Sequence, residues 1–163
     1  MSLKINHRRE ARPDPIGWEQ RRSPDQASNA DLLWYFFPGD VEILSGGTAL
    51  ASKVRSVPAL HFVAAMIGAR DALVLDIDSS YSYTFTEADQ CINFQRINDD
   101  VRIECSFSTN VLTVSIDDFS REICLFSRRE IEDLGRDYPA LLVHPLVHDL
   151  LRKCGDEGEA AAS

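Results

Sequence analysis

Four short stretches between residues 79 and 116 alternate apolar and polar side chains so regularly that little choice of fold remains there. Tyr81, Tyr83 and Phe85 alternate with Ser82, Thr84 and Thr86, and Ile92 and Phe94 with Asn93 and Gln95. Val101, Ile103, Cys105 and Phe107 alternate with Arg102, Glu104, Ser106 and Ser108. Leu112, Val114 and Ile116 alternate with Thr113 and Ser115. A period of two sends successive side chains to opposite faces of a strand, so each stretch reads as a strand with one dry and one wet face. The separators Glu87-Ala88-Asp89, Asn98-Asp99-Asp100 and Thr109-Asn110 are turn chemistry. The pattern predicts a four-stranded antiparallel meander, whose dry face something else in the chain must cover.

Covers exist on both sides. Upstream, Val57-Pro58 opens a helix, with Pro58 near the first turn, where its missing N–H costs nothing. Leu60, Val63, Ala64 and Ile67 recur at helical spacing, flanked by Phe62 and Met66. This helix is expected to end between residues 68 and 72, with 73–77 a continuation or a short strand. Downstream, Asp117 or Asp118 is expected to cap a second helix. Its stripe is Phe119, Ile123, Phe126 and Leu134, with Glu122, Arg129, Glu132 and Asp133 elsewhere. Gly135 weakens that helix near its end. Pro139 starts a further helical segment, and Pro145 interrupts or restarts it.

Ahead of all this, the aromatic run at 32–37 (LLWYFF) is stopped by Pro38-Gly39 and reads as a short buried strand. The runs at 41–45 and 48–51 flank Gly46-Gly47, a hairpin signal because both glycines tolerate φ > 0. Runs of strands followed by helices mean α+β: an antiparallel sheet, hairpin plus four-stranded meander, with helices packed on one face. Residues 31–154 read as that single domain, long enough to bury a core. Residues 1–30 read as an extended or mobile arm that Trp18 can pin back, and 155–163 as a disordered acidic tail.

Charge narrows the partners. The 163-residue chain has a formal net charge of −9. Residues 1–30 hold six basic against four acidic residues, which leaves 11 basic and 22 acidic residues in 31–163, a net of −11. Such a domain repels nucleic-acid phosphates and anionic lipid, and attracts a basic protein. Neither a nucleic acid nor a membrane is expected as partner. No apolar run approaches the ~20 residues of a membrane span, and no apolar leader precedes the domain, so no signal peptide is expected. Cys91, Cys105, Cys124 and Cys154 have no C-x-x-C spacing and sit mostly among apolar neighbours. Buried free thiols fit a reducing compartment, and a cytoplasmic location is expected.

Catalytic and cofactor motifs are not found. There is no phosphate-binding glycine loop and no G-x-S-x-G elbow. His144 and His148 are four apart, but Pro145 follows the first and no H-E-x-x-H is formed, so surface or capping histidines are the plainer reading. His61, beside the first helix's stripe, reads as a half-buried, hydrogen-bonded histidine. Asp76 and Asp78 alternate as ligands can, but Ser80 and Tyr81 break the calcium-loop pattern. The pairs Asp99-Asp100, Asp117-Asp118 and Glu132-Asp133 each suit a turn, a cap or a solvated helix face. No metal, no cofactor and no enzymatic activity are expected.

The segments TFTEADQCINFQRINDDVRIECSF and VLTVSIDDFSREICLFSRREIEDLGRDYPALLVHPLV resemble predicted immunity proteins of bacterial polymorphic toxin systems. The resemblance rests on the residues at 85–89 (FTEAD), the meander, Phe119 in the capped helix, Asp133-Leu134 to Tyr138-Pro139, and His144-Pro145. It implies a non-catalytic protein-binding module that binds and neutralises a cognate toxin. Such a toxin, if a nuclease, is often basic, and an acidic inhibitor meets it by electrostatic steering. The candidate contact residues are Asp76, Asp78, Glu87, Asp89, Asp99, Asp100 and Glu104, which gather at turns and on the meander's wet face. Two alternatives remain: a small enzyme with a dispersed site, or a structural adaptor using the aromatic run. A pocket holding His61 or a cysteine of perturbed ionisation would favour the enzyme.

Overall fold

The structure, a computed structural model, describes residues 2–9, 18–51, 56–85 and 89–155. In chain order the elements are β1 (Leu3–Arg9), α1 (Asn29–Tyr35), β2 (Pro38–Ser45), β3 (Thr48–Ala51), β4 (Val57–Pro58) and α2 (Ala59–Leu75). There follow β5 (Ser80–Thr84), β6 (Cys91–Ile97), β7 (Asp100–Cys105), β8 (Val111–Ser115), α3 (Ile116–Asp137) and α4 (Pro145–Lys153). The chain is α+β, as the sequence implies. The strands form two separate antiparallel sheets. One has the order β1-β2-β3 with β4 also paired to β2, and the other is the meander β5-β6-β7-β8.

The expected meander forms, with Tyr81 opposite Phe94, Phe94 opposite Ile103, and Ile103 opposite Leu112. Its dry face lies on α2 and α3, and those helices pack against each other. Phe62 and Phe126 meet edge to face at 5.7 Å across that helix pair, and Phe94 packs on Phe119 at 5.5 Å. The opposite face, with Ser82, Asn93, Gln95, Arg102 and Thr113, is exposed and carries no helix among the described residues.

The hairpin also forms, with Gly46 at φ 55° and Gly47 at φ 84°, the mirror-image turn that matches strand twist. It belongs to the first sheet, where residues 3–9, expected in an arm, make the edge strand β1. Leu3, Ile5 and His7 turn inward against α3. The bare edge is closed by α3 side chains. The Ile5 N–H donates to Glu122 Oε1 (2.8 Å), and Arg129 Nη2 donates to the Ile5 carbonyl (2.7 Å). Imidazole Nε2 of His7 donates to the Val57 carbonyl (2.7 Å), and its Nδ1 lies 3.2 Å from Glu130 Oε1. Glu122, assigned by periodicity to the wet side of its helix, is therefore buried.

The aromatic run at 32–37 is not a strand. Ser28 caps α1 by accepting from the Asp31 N–H (3.1 Å), and the helix carries the run to Tyr35. Leu32 and Phe36, one turn apart, are buried, whereas Trp34 and Tyr35 are about half exposed. Phe37 then takes φ 57° and swings the chain into β2. That costly conformation for an aromatic residue is held at both ends: its N–H donates to Glu19 Oε2 (3.0 Å) and its carbonyl accepts from the Ala59 N–H (3.0 Å). Trp18 stacks on Tyr35 at 4.3 Å and fixes the segment before α1.

The helix α2 runs to Leu75, past the expected end, because Leu73 is still core and Arg96 caps its last turn. Arg96 Nη1 donates to the carbonyls of Leu73 (2.8 Å) and Val74 (3.1 Å). Ser115 caps α3, accepting from the Asp118 N–H (3.1 Å), so Asp117 and Asp118 fall in its first turn and not at the cap. His144 caps α4, accepting from the Leu146 N–H at Nδ1 and donating from Nε2 to the Ala27 carbonyl (2.8 Å). Among the described residues no helix is long and apolar enough to cross a membrane. The tail expected over 155–163 lies, from 156 on, outside the described residues.

Candidate functional site

The acidic candidates fall into separate places. Asp76 and Asp78 lie in the α2–β5 loop, where Asp76 Oδ1 accepts from the Asp78 N–H (3.1 Å). Asp99 and Asp100 lie in the β6–β7 turn. These two loops sit side by side: the Arg96 N–H donates to the Ser79 carbonyl (3.0 Å), and Arg96 Nε donates to the Asn98 carbonyl (2.8 Å). One arginine thus ties the end of α2, the start of β5 and the β6–β7 turn together. Asn98 takes φ 58° to make that turn, a conformation asparagine tolerates.

Large apolar side chains share this end of the meander. Leu75 is 86% exposed, Ile77 57% and Ile97 46%. Ile97 and Val111 line a shallow groove of about 530 Å³ on the uncovered sheet face, with Asp99, Asp100 and Arg102 around them. The arrangement is an apolar ridge in an acidic rim. The other candidates do not join it. Glu104 lies farther along the open face, opposite Val111 at the far end of the groove, and is paired with Arg102. Asp89 is exposed at the opposite end of the meander. Glu87 lies outside the described residues.

A second constellation was not legible as such in the sequence. Arg70 of α2 is buried, and its Nη1 donates to Cys124 Sγ of α3 (2.7 Å) and points at Cys154 Sγ, which follows α4, at 3.9 Å. Its other nitrogens hold Asp71 Oδ1 (2.9 and 2.7 Å) and the Lys153 carbonyl (2.9 Å), which fixes the guanidinium. The Cys154 thiol is held down to about 7, first by its hydrogen bond with Cys124, then by Ser127 and by the charges of Arg70 and Arg128. Burial pushes the Cys105 thiol the other way, up to about 12. Cys124 and Cys154 also line an open groove of about 590 Å³ along α3, with Arg96, Arg121, Arg128 and Ser120.

His61 is half-buried and hydrogen-bonded, with Nδ1 3.1 Å from the Tyr83 hydroxyl and its ring 4.4 Å from Trp34. Burial lowers its pKa and raises that of Tyr83, so both stay neutral around pH 7. Among the described residues no three His, Cys, Asp or Glu side chains converge as a metal site would require.

No protein-family model, no curated protein sequence and no solved structure matches this chain.

Proposed function

We propose that this chain is a protein-binding module, of the class that binds and neutralises a cognate toxin. The observation that carries the reading is the acid-rimmed apolar ridge: Leu75, Ile77 and Ile97 exposed on the two adjoining loops that carry Asp76, Asp78, Asp99 and Asp100. Apolar anchors supply binding energy once water is excluded, and surrounding acids steer a basic partner in. The ridge stands on a sheet backed by two packed helices, a rigid platform that needs little ordering on association. The likeness of residues 84–147 to immunity proteins supports the same reading. Four free thiols suit a cytoplasmic site of action.

The test is co-expression with the product of the adjacent upstream gene, followed by association kinetics on the purified pair. The neighbour alone should kill, and the pair should survive as a complex. Neutralising the rim with D76N/D78N/D99N/D100N should slow association about tenfold or more at low salt and flatten its salt dependence. Leu75→Ala with Ile97→Ala should mainly speed dissociation. A harmless neighbour, a neighbour that kills unbound, or unchanged kinetics in both variants refutes the reading.

One observation favours the alternative of an enzyme with a dispersed site: the Arg70–Cys124–Cys154 cluster, assembled from three helices. Its chemistry can be stated without reference to any partner.

A further inference from the structure

We propose that Cys124 and Cys154 are a redox-active pair that closes to an intramolecular disulfide when hydrogen peroxide enters the groove along α3. Three features of the geometry point there. The two thiols meet at one point of the fold, within 2.7 and 3.9 Å of the same Arg70 nitrogen, although they come from the middle of α3 and the end of α4. A single buried guanidinium nitrogen faces both sulfurs, and its remaining contacts leave it no other orientation. Both residues, though buried, line the wall of an open groove far larger than a peroxide molecule, which brings the oxidant to within a side chain's breathing of the sulfurs.

Two cations set the division of labour: Arg70 faces both sulfurs and sits nearer Cys124, whereas Arg128 is bonded on the Cys154 side. A thiolate is the nucleophile, and a buried cation beside it stabilises the thiolate over the thiol. Arg128 holds the Cys154 carbonyl and adds positive charge on the same side. Cys154 is the attacking sulfur and Cys124 the resolving one. The Cys154 thiolate displaces one oxygen of hydrogen peroxide. The O–O bond breaks, Cys154 becomes a sulfenic acid, and the departing hydroxide leaves as water with the proton the thiol gave up. Cys124 then attacks the sulfenic sulfur. The S–O bond breaks, the S–S bond forms, and a second water carries away the Cys124 proton. Two thiols are oxidised to one disulfide, and one peroxide is reduced to two waters. The product joins the end of α4 to α3.

Cys91 and Cys105 supply the internal control. Cys105 is as buried as the pair but has no arginine bonded to it among the described residues, so burial disfavours its thiolate unopposed. Cys91 lies on the meander away from this groove.

The test uses the purified full chain, treated with hydrogen peroxide and then alkylated under denaturing conditions. Reactive thiols should fall from four to two, the intact mass should drop by two hydrogens, and peptide mapping should join Cys124 to Cys154. Dithiothreitol should restore all four thiols. In C124S, dimedone should label Cys154, and in C91S/C105S the disulfide should still form. Arg70→Lys should slow oxidation about tenfold, the factor that one unit of thiolate pKa represents. Four thiols surviving peroxide in the wild type, a disulfide mapped to any other pair, or oxidation only between chains overturns the proposal. These readouts need no partner, so their failure is separate from failure of the toxin-binding reading.

Discussion

Replacing Glu122 tests whether α3 holds β1 in place through one carboxylate. Glu122 Oε1 accepts from the Ile5 N–H at 2.8 Å and from Arg129 Nη2 at 3.3 Å, while the same Arg129 nitrogen bonds the Ile5 carbonyl. Glu122→Ala leaves the Ile5 N–H without its acceptor inside the fold, which costs about 1–3 kcal/mol. It also strips Arg129 of its partner. Removing one member of a buried pair costs about 3–5 kcal/mol, but the Arg129 side chain is 41% exposed and water recovers most of that. A total of about 2–3 kcal/mol follows, or about 5–10 °C in Tm for a domain of this size. Glu122→Gln keeps an acceptor oxygen for Ile5 and loses only the charge assistance, about 1 kcal/mol. Urea melts give the energies, and hydrogen exchange at the Ile5 amide locates them. The Ala variant should exchange fast at Ile5 while the amides of β6 and β7 stay protected. If Gln costs as much as Ala, or if Ile5 exchange is unchanged in Ala, the closure of the edge by Glu122 is wrong.

Two further outcomes follow from single positions. A Cβ on Gly39 would meet the Arg8 carbonyl oxygen far inside van der Waals contact and His7 Cε1 at 2.5 Å, so Gly39→Ala should unpair β1 from the start of β2. That overpacking should cost about 3 kcal/mol or more, seen as a lowered urea midpoint with lost exchange protection confined to β1 and its partner. His61 has a folded pKa lowered by burial, so the unfolded chain binds its proton first. Its contribution to stability is present above the unfolded value of about 6.5 and is lost as pH falls from there toward the folded pKa. Wild type should therefore lose more stability than His61→Gln between pH 7 and pH 5, and parallel urea midpoints for the two proteins across that range would contradict this.

The meander was legible because a half-covered antiparallel sheet writes its geometry directly into alternation. Tyr83, Ile92, Ile103 and Leu112 had no other face to occupy. The two central helices were legible in place but not in depth. Phe62 and Met66, which flank the stripe Leu60–Val63–Ile67, are as buried as the stripe itself, because α2 packs against the meander, α3 and α1 at once. Periodicity of a one-faced helix cannot register that. The aromatic run at 32–37 misled for the opposite reason: tertiary contacts from Glu19 and Ala59 hold Phe37 at φ 57°, and no local preference announces such a turn. The strand β1 was hidden by its polar residues. Lys4, Asn6, Arg8 and Arg9 alternate with Leu3, Ile5 and His7, but the pattern only becomes a strand once Glu122 and Arg129 close its outer edge.

The buried polar groups carry the clearest lesson about the candidate sites. Val63, Met66, Arg70 and Leu73 recur at spacings of three, four and three, so Arg70 stands on an apolar stripe where a charge demands an explanation. On α3, Glu122, which the pattern set off the stripe, and Glu130 are buried as well, beside Phe119 and Phe126. Each of these buried charges proves to be answered from another element: Arg70 by Cys124 and Lys153, Glu122 by Ile5 (with Arg129 of its own helix beside it), and Glu130 by His7. Sequence alone does not give the partners, since Cys124 lies 54 residues from Arg70 and Ile5 117 from Glu122. The acid-rimmed ridge is the converse case. Its acids were visible one by one at turns, while the feature that groups them, Arg96 bridging three loops from the end of β6, is a single residue on the dry face of a strand. There the alternation predicts an apolar side chain, and the departure from it marks the position that assembles the surface.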